Sequence, residues 1–171
     1  TGQTFMGSAY HFIENNNSFV VGVKGKDHDK YRRFGIDTPS FRPAKERSDL
    51  FLIEVNQVKD DLAEFMKLKW NKDVEQPSEF MNFPIPSGKK YNYNTFFSHY
   101  EGEHRVIDKN KDGDGVSARW VKRNSAAQNH LWDCRVYNMA LRDIIVSAAC
   151  KERKIKGGKW KDYVDIIFGR V

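Results

Sequence analysis

Sulfur chemistry and long apolar runs are what this sequence has least of. Only two cysteines, Cys134 and Cys150, occur in 171 residues, too few for a disulfide framework. Helical periodicity around them predicts that both sit on one helix, where 16 residues of separation place them about 24 Å apart. A bridge between them is then excluded, and a reducing, cytoplasmic setting fits two free thiols. No apolar run approaches the roughly 20 residues that a membrane-spanning helix needs. No signal peptide is recognisable, and the first residue is Thr1 rather than Met. Phosphate-cradling Gly loops, paired-Cys zinc spacings and Ser-His-Asp arrangements are all missing. Nucleotide hydrolysis within this chain is therefore not expected. Internal repeats and long low-complexity segments are missing too.

What is present suffices for a folded domain. The chain is 39% hydrophobic and 13% aromatic, enough to build a core and to exclude disorder by composition. Its length fits one compact domain. The net charge of +6 permits a polyanionic partner without proving one. That charge is uneven: residues 151–171 hold seven Lys/Arg against three Asp/Glu, so +4 of the +6 lies in the tail.

The pattern along the chain predicts alternating strands and helices, an α/β layer architecture. Thr4 to Asn15 reads as a helix stopped by Asn15-Asn16-Asn17, and Ser18 to Val23 as a strand closed by Gly25. Residues 26–47, charged and holding Pro39 and Pro43, read as mostly irregular. Leu50 to Val55 alternates like a strand. Val58 to Trp70 reads as an amphipathic helix through Leu62, Phe65, Met66 and Trp70. A short strand is expected at Phe80 to Phe83 and a short helix at Asn94 to Glu103. His104 to Asp108 and Ser117 to Arg123 read as two strands joined by a turn rich in Asp and Gly. The longest helix is expected from about Ala126 to Lys151, with Leu131, Val136, Ala140, Ile144 and Ala148 on its apolar side. A basic tail follows Gly157-Gly158.

Three features carry candidate chemistry. Asp108, Asn110, Asp112, Gly113 and Asp114 match the first half of a calcium-binding EF-hand loop. The twelfth position, which needs a bidentate Glu, is Arg119, so a polar hairpin turn is the preferred reading. The second feature is Asn129-His130-Leu131-Trp132-Asp133-Cys134-Arg135-Val136-Tyr137. His130, Asp133 and Tyr137 share one helix face, and a first-turn carboxylate is favoured by the helix dipole. Asp133 is either a hard oxygen ligand for Mg²⁺ or Mn²⁺ or an ordinary first-turn Asp on a solvated face. The third is a set of cations, Lys24, Lys26, Arg119, Lys122 and Arg123, which either hold phosphates or form solvated surface.

At Asp133 the sequence resembles a known family. Arg123-Asn124, the Asn129 to Tyr137 stretch and Ala140-Leu141 look like the last motif of a phage lambda-type (GpA family) terminase large subunit. Thr1-Gly2-Gln3 opening a helix, Val21-Gly22-Val23-Lys24-Gly25, Val55-Asn56-Gln57-Val58-Lys59, Phe83-Pro84 and the Phe97 to Glu103 segment agree in order. The resemblance covers about residues 1–150 and implies a ribonuclease H-like nuclease fold, a mixed sheet flanked by helices. It implies an endonuclease that cuts concatemeric viral DNA during packaging, through a two-metal mechanism with Mg²⁺ or Mn²⁺. Asp133 is the metal-binding catalytic acid that the motif carries over, with His130 and Arg123 as site neighbours. Implied partners are double-stranded viral DNA, the rest of the large subunit, the terminase small subunit and the portal protein, in the host cell cytoplasm.

The resemblance also implies two further catalytic Asp residues upstream, the second directly before Thr1. Residues 1–151 then form the C-terminal portion of a nuclease domain and 152–171 a basic tail. Three origins fit: a piece of a longer chain, a split gene whose second polypeptide supplies the missing strands and acids, or an intein-type processing junction at Thr1. Alternatives to the nuclease are a non-catalytic docking module, with the tail directed to the portal or packed on its own domain, and, ranked last, a calcium-binding protein.

Overall fold

In a computed structural model the chain is a mixed α/β protein. The structure describes residues 2–16, 20–26, 41–44, 47–77, 79–86, 92–109, 116–155 and 160–170. In chain order the elements are α1 (Gly2–Asn15), β1 (Gly22–Lys26), β2 (Phe41–Ala44), β3 (Arg47–Glu54), α2 (Val55–Lys67), α3 (Tyr93–Ser98), β4 (Glu103–Lys109), β5 (Val116–Lys122), α4 (His130–Glu152) and α5 (Trp160–Ile167). None of the described helices is long and apolar enough to cross a membrane.

The chain divides into two compact units. The first holds α1, β1, β2, β3, α4 from Ala140 onward, and α5. Its sheet has the order β1-β3-β2, with β1 parallel and β2 antiparallel to the central β3. The apolar run Leu50-Phe51-Leu52-Ile53 suits a strand flanked on both sides, and Leu50 and Ile53 are buried. β1 begins later than its apolar pattern suggests, because the Val20 N–H is spent on a turn to the Asn16 carbonyl. The expectation that 26–47 is irregular fails at β2. Pro43 is tolerated there because β2 is an edge strand, where a missing N–H removes no ladder bond that the sheet needs. Residues 27–40 lie outside the described part. The tail also holds an unexpected helix, α5, which closes with Gly169 at φ 62°. There the Arg170 N–H reaches back to the Asp165 carbonyl, a glycine-dependent C-cap.

The second unit holds α2 from Asn56, α3, β4, β5 and α4 up to Met139. β4 and β5 form an antiparallel pair running from Glu103↔Lys122 to Lys109↔Val116. The loop joining them, with most of the calcium-like motif, lies outside the described residues. The motif is nevertheless bracketed by strands rather than by the two helices of an EF-hand, and Asp108 is ion-paired with Arg119 at 3.1 Å. Phe80 to Phe83 is not a strand. Phe80 turns back on the Pro77 carbonyl and the segment is held by rings, Trp70 against Phe80 at 5.7 Å and Phe83 against Phe97 at 4.9 Å. α3 is shorter than expected and frees Glu103 to open β4. α4 starts at His130, not Ala126, because the Asn124 side chain accepts the Ala126 N–H in a local turn that competes with helix. Trp132, Val136 and Met139 carry its buried side here, while Leu131 is only partly covered.

Both cysteines lie on α4 and are free, Cys134 exposed and Cys150 buried. Burial, followed by the negative charge of Asp162, pushes the Cys150 thiol above its ordinary range. A thiol-disulfide reagent is expected to titrate one thiol in the native chain and the second only after unfolding; equal native rates would contradict this burial. Below the ordinary thiol range both folded and unfolded chains keep the Cys150 proton. As pH rises above it the unfolded chain ionises first, so this group makes stability fall, and a Cys150→Ala variant should show a smaller alkaline loss in urea titrations at matched pH.

Candidate functional site

The second unit contains a closed ring of four polar side chains. Lys59 comes from the buried side of α2, Glu103 is the first residue of β4, Asn129 immediately precedes α4, and Asp133 is in the first turn of α4. Lys59 Nζ donates to Glu103 Oε2 at 2.6 Å and lies 3.1 Å from Asp133 Oδ1. Asn129 Nδ2 donates to Glu103 Oε1 at 2.6 Å and to Asp133 Oδ2 at 2.8 Å. Each member therefore touches two others, and all four carboxylate oxygens have a donor.

Burial is graded around the ring. The side chains of Lys59 and Glu103 are each 6% exposed, whereas that of Asp133 is 37% exposed. Asp133 is the vertex that reaches solvent. Charge does not cancel: one ammonium faces two carboxylates, and the excess negative charge lies near the α4 N-terminus, which favours it. The Asp133 N–H closes the first turn on the Asn129 carbonyl at 2.9 Å.

The surroundings fix the ring. Asn56 Oδ1 accepts the Trp120 N–H at 2.9 Å, and Asp60 Oδ1 accepts from Trp120 Nε1 at 2.8 Å and Arg105 Nε at 2.9 Å. These bonds seat α2 on the β4–β5 pair. Trp132, 2% exposed, packs on Tyr100 at 5.1 Å and Trp120 at 5.8 Å and anchors the turn that carries Asp133. Just before Glu103, a side chain on Gly102 would stand 2.2 Å from the Gln128 carbonyl oxygen. Only glycine lets the two backbone segments that deliver Glu103 and Asn129 approach this closely.

The residues singled out from sequence fall in different places. His130 is exposed at the first residue of α4, its ring 6.0 Å from that of His99. His99 Nδ1 lies 3.5 Å from the Leu131 N–H, a long contact that helps occupy an orphan donor of the α4 terminus. Arg123 donates Nε to the Glu101 carbonyl at 2.6 Å and its N–H to Gly102, so it braces the Glu103 approach. Lys122 is exposed at the end of β5, and Arg119 is exposed but paired with Asp108. Lys24 is exposed on β1 in the first unit, and the Lys26 side chain is outside the described part. Sequence reasoning assigned no role to Lys59, Glu103 or Asn129. Each lies in a segment that carried the resemblance, and a Lys in register with Asn56 and Leu62 on the buried face of α2 is the signal that was there to find.

A divalent ion of the Mg²⁺ or Mn²⁺ kind wants several oxygen ligands. No cluster of three or more His, Cys, Asp and Glu residues suited to a metal exists among the described residues. The two carboxylates that do converge are already bridged by a cation, Lys59. As arranged, the described residues do not fit a two-metal centre by themselves.

A family model described as terminase large subunit gpA, endonuclease domain, matches residues 2–153. Neither a curated protein nor a solved structure matches the chain.

Two substitutions test the geometry. Lys59→Met leaves Glu103 buried without its cation, and breaking such a pair costs about 3–5 kcal/mol; a urea midpoint close to that of the parent would show that the ring is not buried as described. Gly102→Ala forces a methyl group against backbone, with an expected loss of about 1–3 kcal/mol, checked by the thermal midpoint.

Proposed function

Because the chain belongs to the gpA terminase large-subunit endonuclease family, we propose that it supplies the DNA-cutting part of a genome-packaging terminase with Asp133 as its working carboxylate. An endonuclease role in packaging follows from the family. That Asp133 carries it is supported by one observation above all: it is the solvent-reaching vertex of an otherwise buried charged ring. A carboxylate held by two donors keeps its position when a phosphate backbone approaches.

The finer reading is a ribonuclease H-like domain acting on concatemeric double-stranded DNA in the host cytoplasm, alongside the motor part of the large subunit, the small subunit and the portal. Mg²⁺ or Mn²⁺ is the cofactor we expect of the complete assembly, with Asp133 as this chain's contribution. Since the described residues do not complete a metal centre, further oxygen ligands have to come from elsewhere. His130, on the Asp133 face of α4, and Arg123 are our candidate neighbours of Asp133; Lys122 and Arg123, before that helix, are our candidates for DNA contact, with Lys24, Lys26 and Arg119 as more distant ones in sequence.

A second reading applies to the tail. The family match ends at residue 153, and beyond it α5 is followed by exposed Phe168, with Ile167 also exposed. We assign residues 152–171 to docking, with the portal as the partner in view.

Asp133→Asn keeps the shape of the side chain and removes its charge. In the assembled terminase this variant is expected to abolish cutting of concatemeric DNA while the isolated chain still melts cooperatively; undiminished cutting would overturn the assignment.

A further inference from the structure

Buried lysines are expensive. Taking an ammonium out of water costs several kcal/mol even after relaxation, and replacing a buried ion pair by apolar groups of similar volume is often neutral or stabilising. α2 could have carried a Leu at position 59, between the fully buried Val58 and Leu62. It carries a Lys that is 5% exposed as a residue. Glu103 alone would satisfy its charge, and a simple structural pair would end there. Instead the ammonium also reaches the half-exposed Asp133, and Asn129 ties the same two carboxylates from the other side.

We propose that Lys59 is a positioning residue for Asp133, with Glu103 as the buried counter-charge that keeps Lys59 in place and Asn129 as the second hold on the same carboxylate. This deepens the reading of Asp133 as the working carboxylate and rests on it. An Asp side chain at a helix start has two free torsions. Here Oδ1 is fixed from α2 and Oδ2 from the residue before α4, so its lone pairs keep one direction. Glu103 is itself set by the close approach of Gly102 to Gln128. A chain of fixed backbone thus ends in one oriented carboxylate. Supporting groups of this kind govern the placement of a reacting group, and losing one costs about 10- to 100-fold in rate.

The test separates placement from stability. Lys59→Met alone leaves Glu103 unpaired and is expected to destabilise the fold. The double variant Lys59→Met/Glu103→Gln removes both buried charges and still offers Asn129 an acceptor at position 103. It is expected to recover a thermal midpoint near the parent's. In the assembled terminase its KM for duplex DNA should stay unchanged while kcat falls about 10- to 100-fold. If kcat recovers together with the midpoint, Lys59 is structural only and the proposal is wrong. Should the double variant melt early, Asn129→Ala leaves the Lys59–Glu103 pair standing and removes the other hold on Asp133; a parental kcat there overturns the proposal equally. Asp133→Asn run in parallel distinguishes the two levels. Full cutting by Asp133→Asn sinks the assignment of Asp133 itself. An inactive Asp133→Asn beside a fully active double variant sinks only the positioning role of Lys59.

Discussion

The ion pair between Lys59 and Glu103 is the constraint on which the second unit depends. Both side chains are buried and 2.6 Å apart. In a medium of low effective dielectric neither charge is tolerable without the other, so α2 and the start of β4 have one admissible register. The remaining polar side chains of α2 follow from that register. Asn56 and Asp60, one turn apart, meet Trp120 of β5 with a backbone and an indole bond. The docking of this helix on the strand pair is therefore specified by polar bonds more than by its apolar stripe, and Met66, on the expected apolar face, is left 41% exposed.

The aromatic residues play the complementary part. Phe83, Phe96, Phe97 and Tyr100 pack edge to face, and Tyr100 passes the contact to Trp132. Such rings bury large areas with few torsions to freeze. They hold the first turn of α4 so that Asp133 can be partly solvated without fraying the helix. Rigid apolar support behind one exposed polar group is a common plan for sites that must act on a ligand.

The basic balance takes on a different meaning once partners are visible. Arg105 is committed to Asp60, Arg119 to Asp108 and Arg123 to the Glu101 carbonyl. Part of the positive charge thus works inside the unit; the acids in these pairs are already subtracted in the net +6, so pairing leaves that net unchanged and lowers only the number of cations free to turn toward a DNA backbone. The same holds for the acids, since Glu103 and Asp133 share Lys59.

Much of the element order was legible. Apolar periodicity located α1, β3, α2, β4, β5 and the long α4, because local pattern and burial agree there. The family, too, was legible, since the Asn129 to Tyr137 motif and the weaker landmarks survive as short strings. Ends and exceptions were not. Asn124 stopped α4 from starting early, Pro43 was admitted to a strand because that strand is an edge, and α5 closed on Gly169, all matters of local hydrogen bonding that periodicity does not weigh. Of the four members of the candidate ring, the sequence singled out one. Asp133 could be named from its motif and its place in a first turn. Lys59 and Glu103 are 44 residues apart, and Asn129 and Asp133 lie further on. Nothing in a linear pattern states that a lysine on an apolar face will find its carboxylate on a distant strand. The sequence by itself determined the family and much of the element order, and it singled out one acid as a candidate. Tertiary structure alone decided that this acid belongs to a ring with a buried ammonium, because only folding brings unlike charges together at the distance where desolvation is repaid.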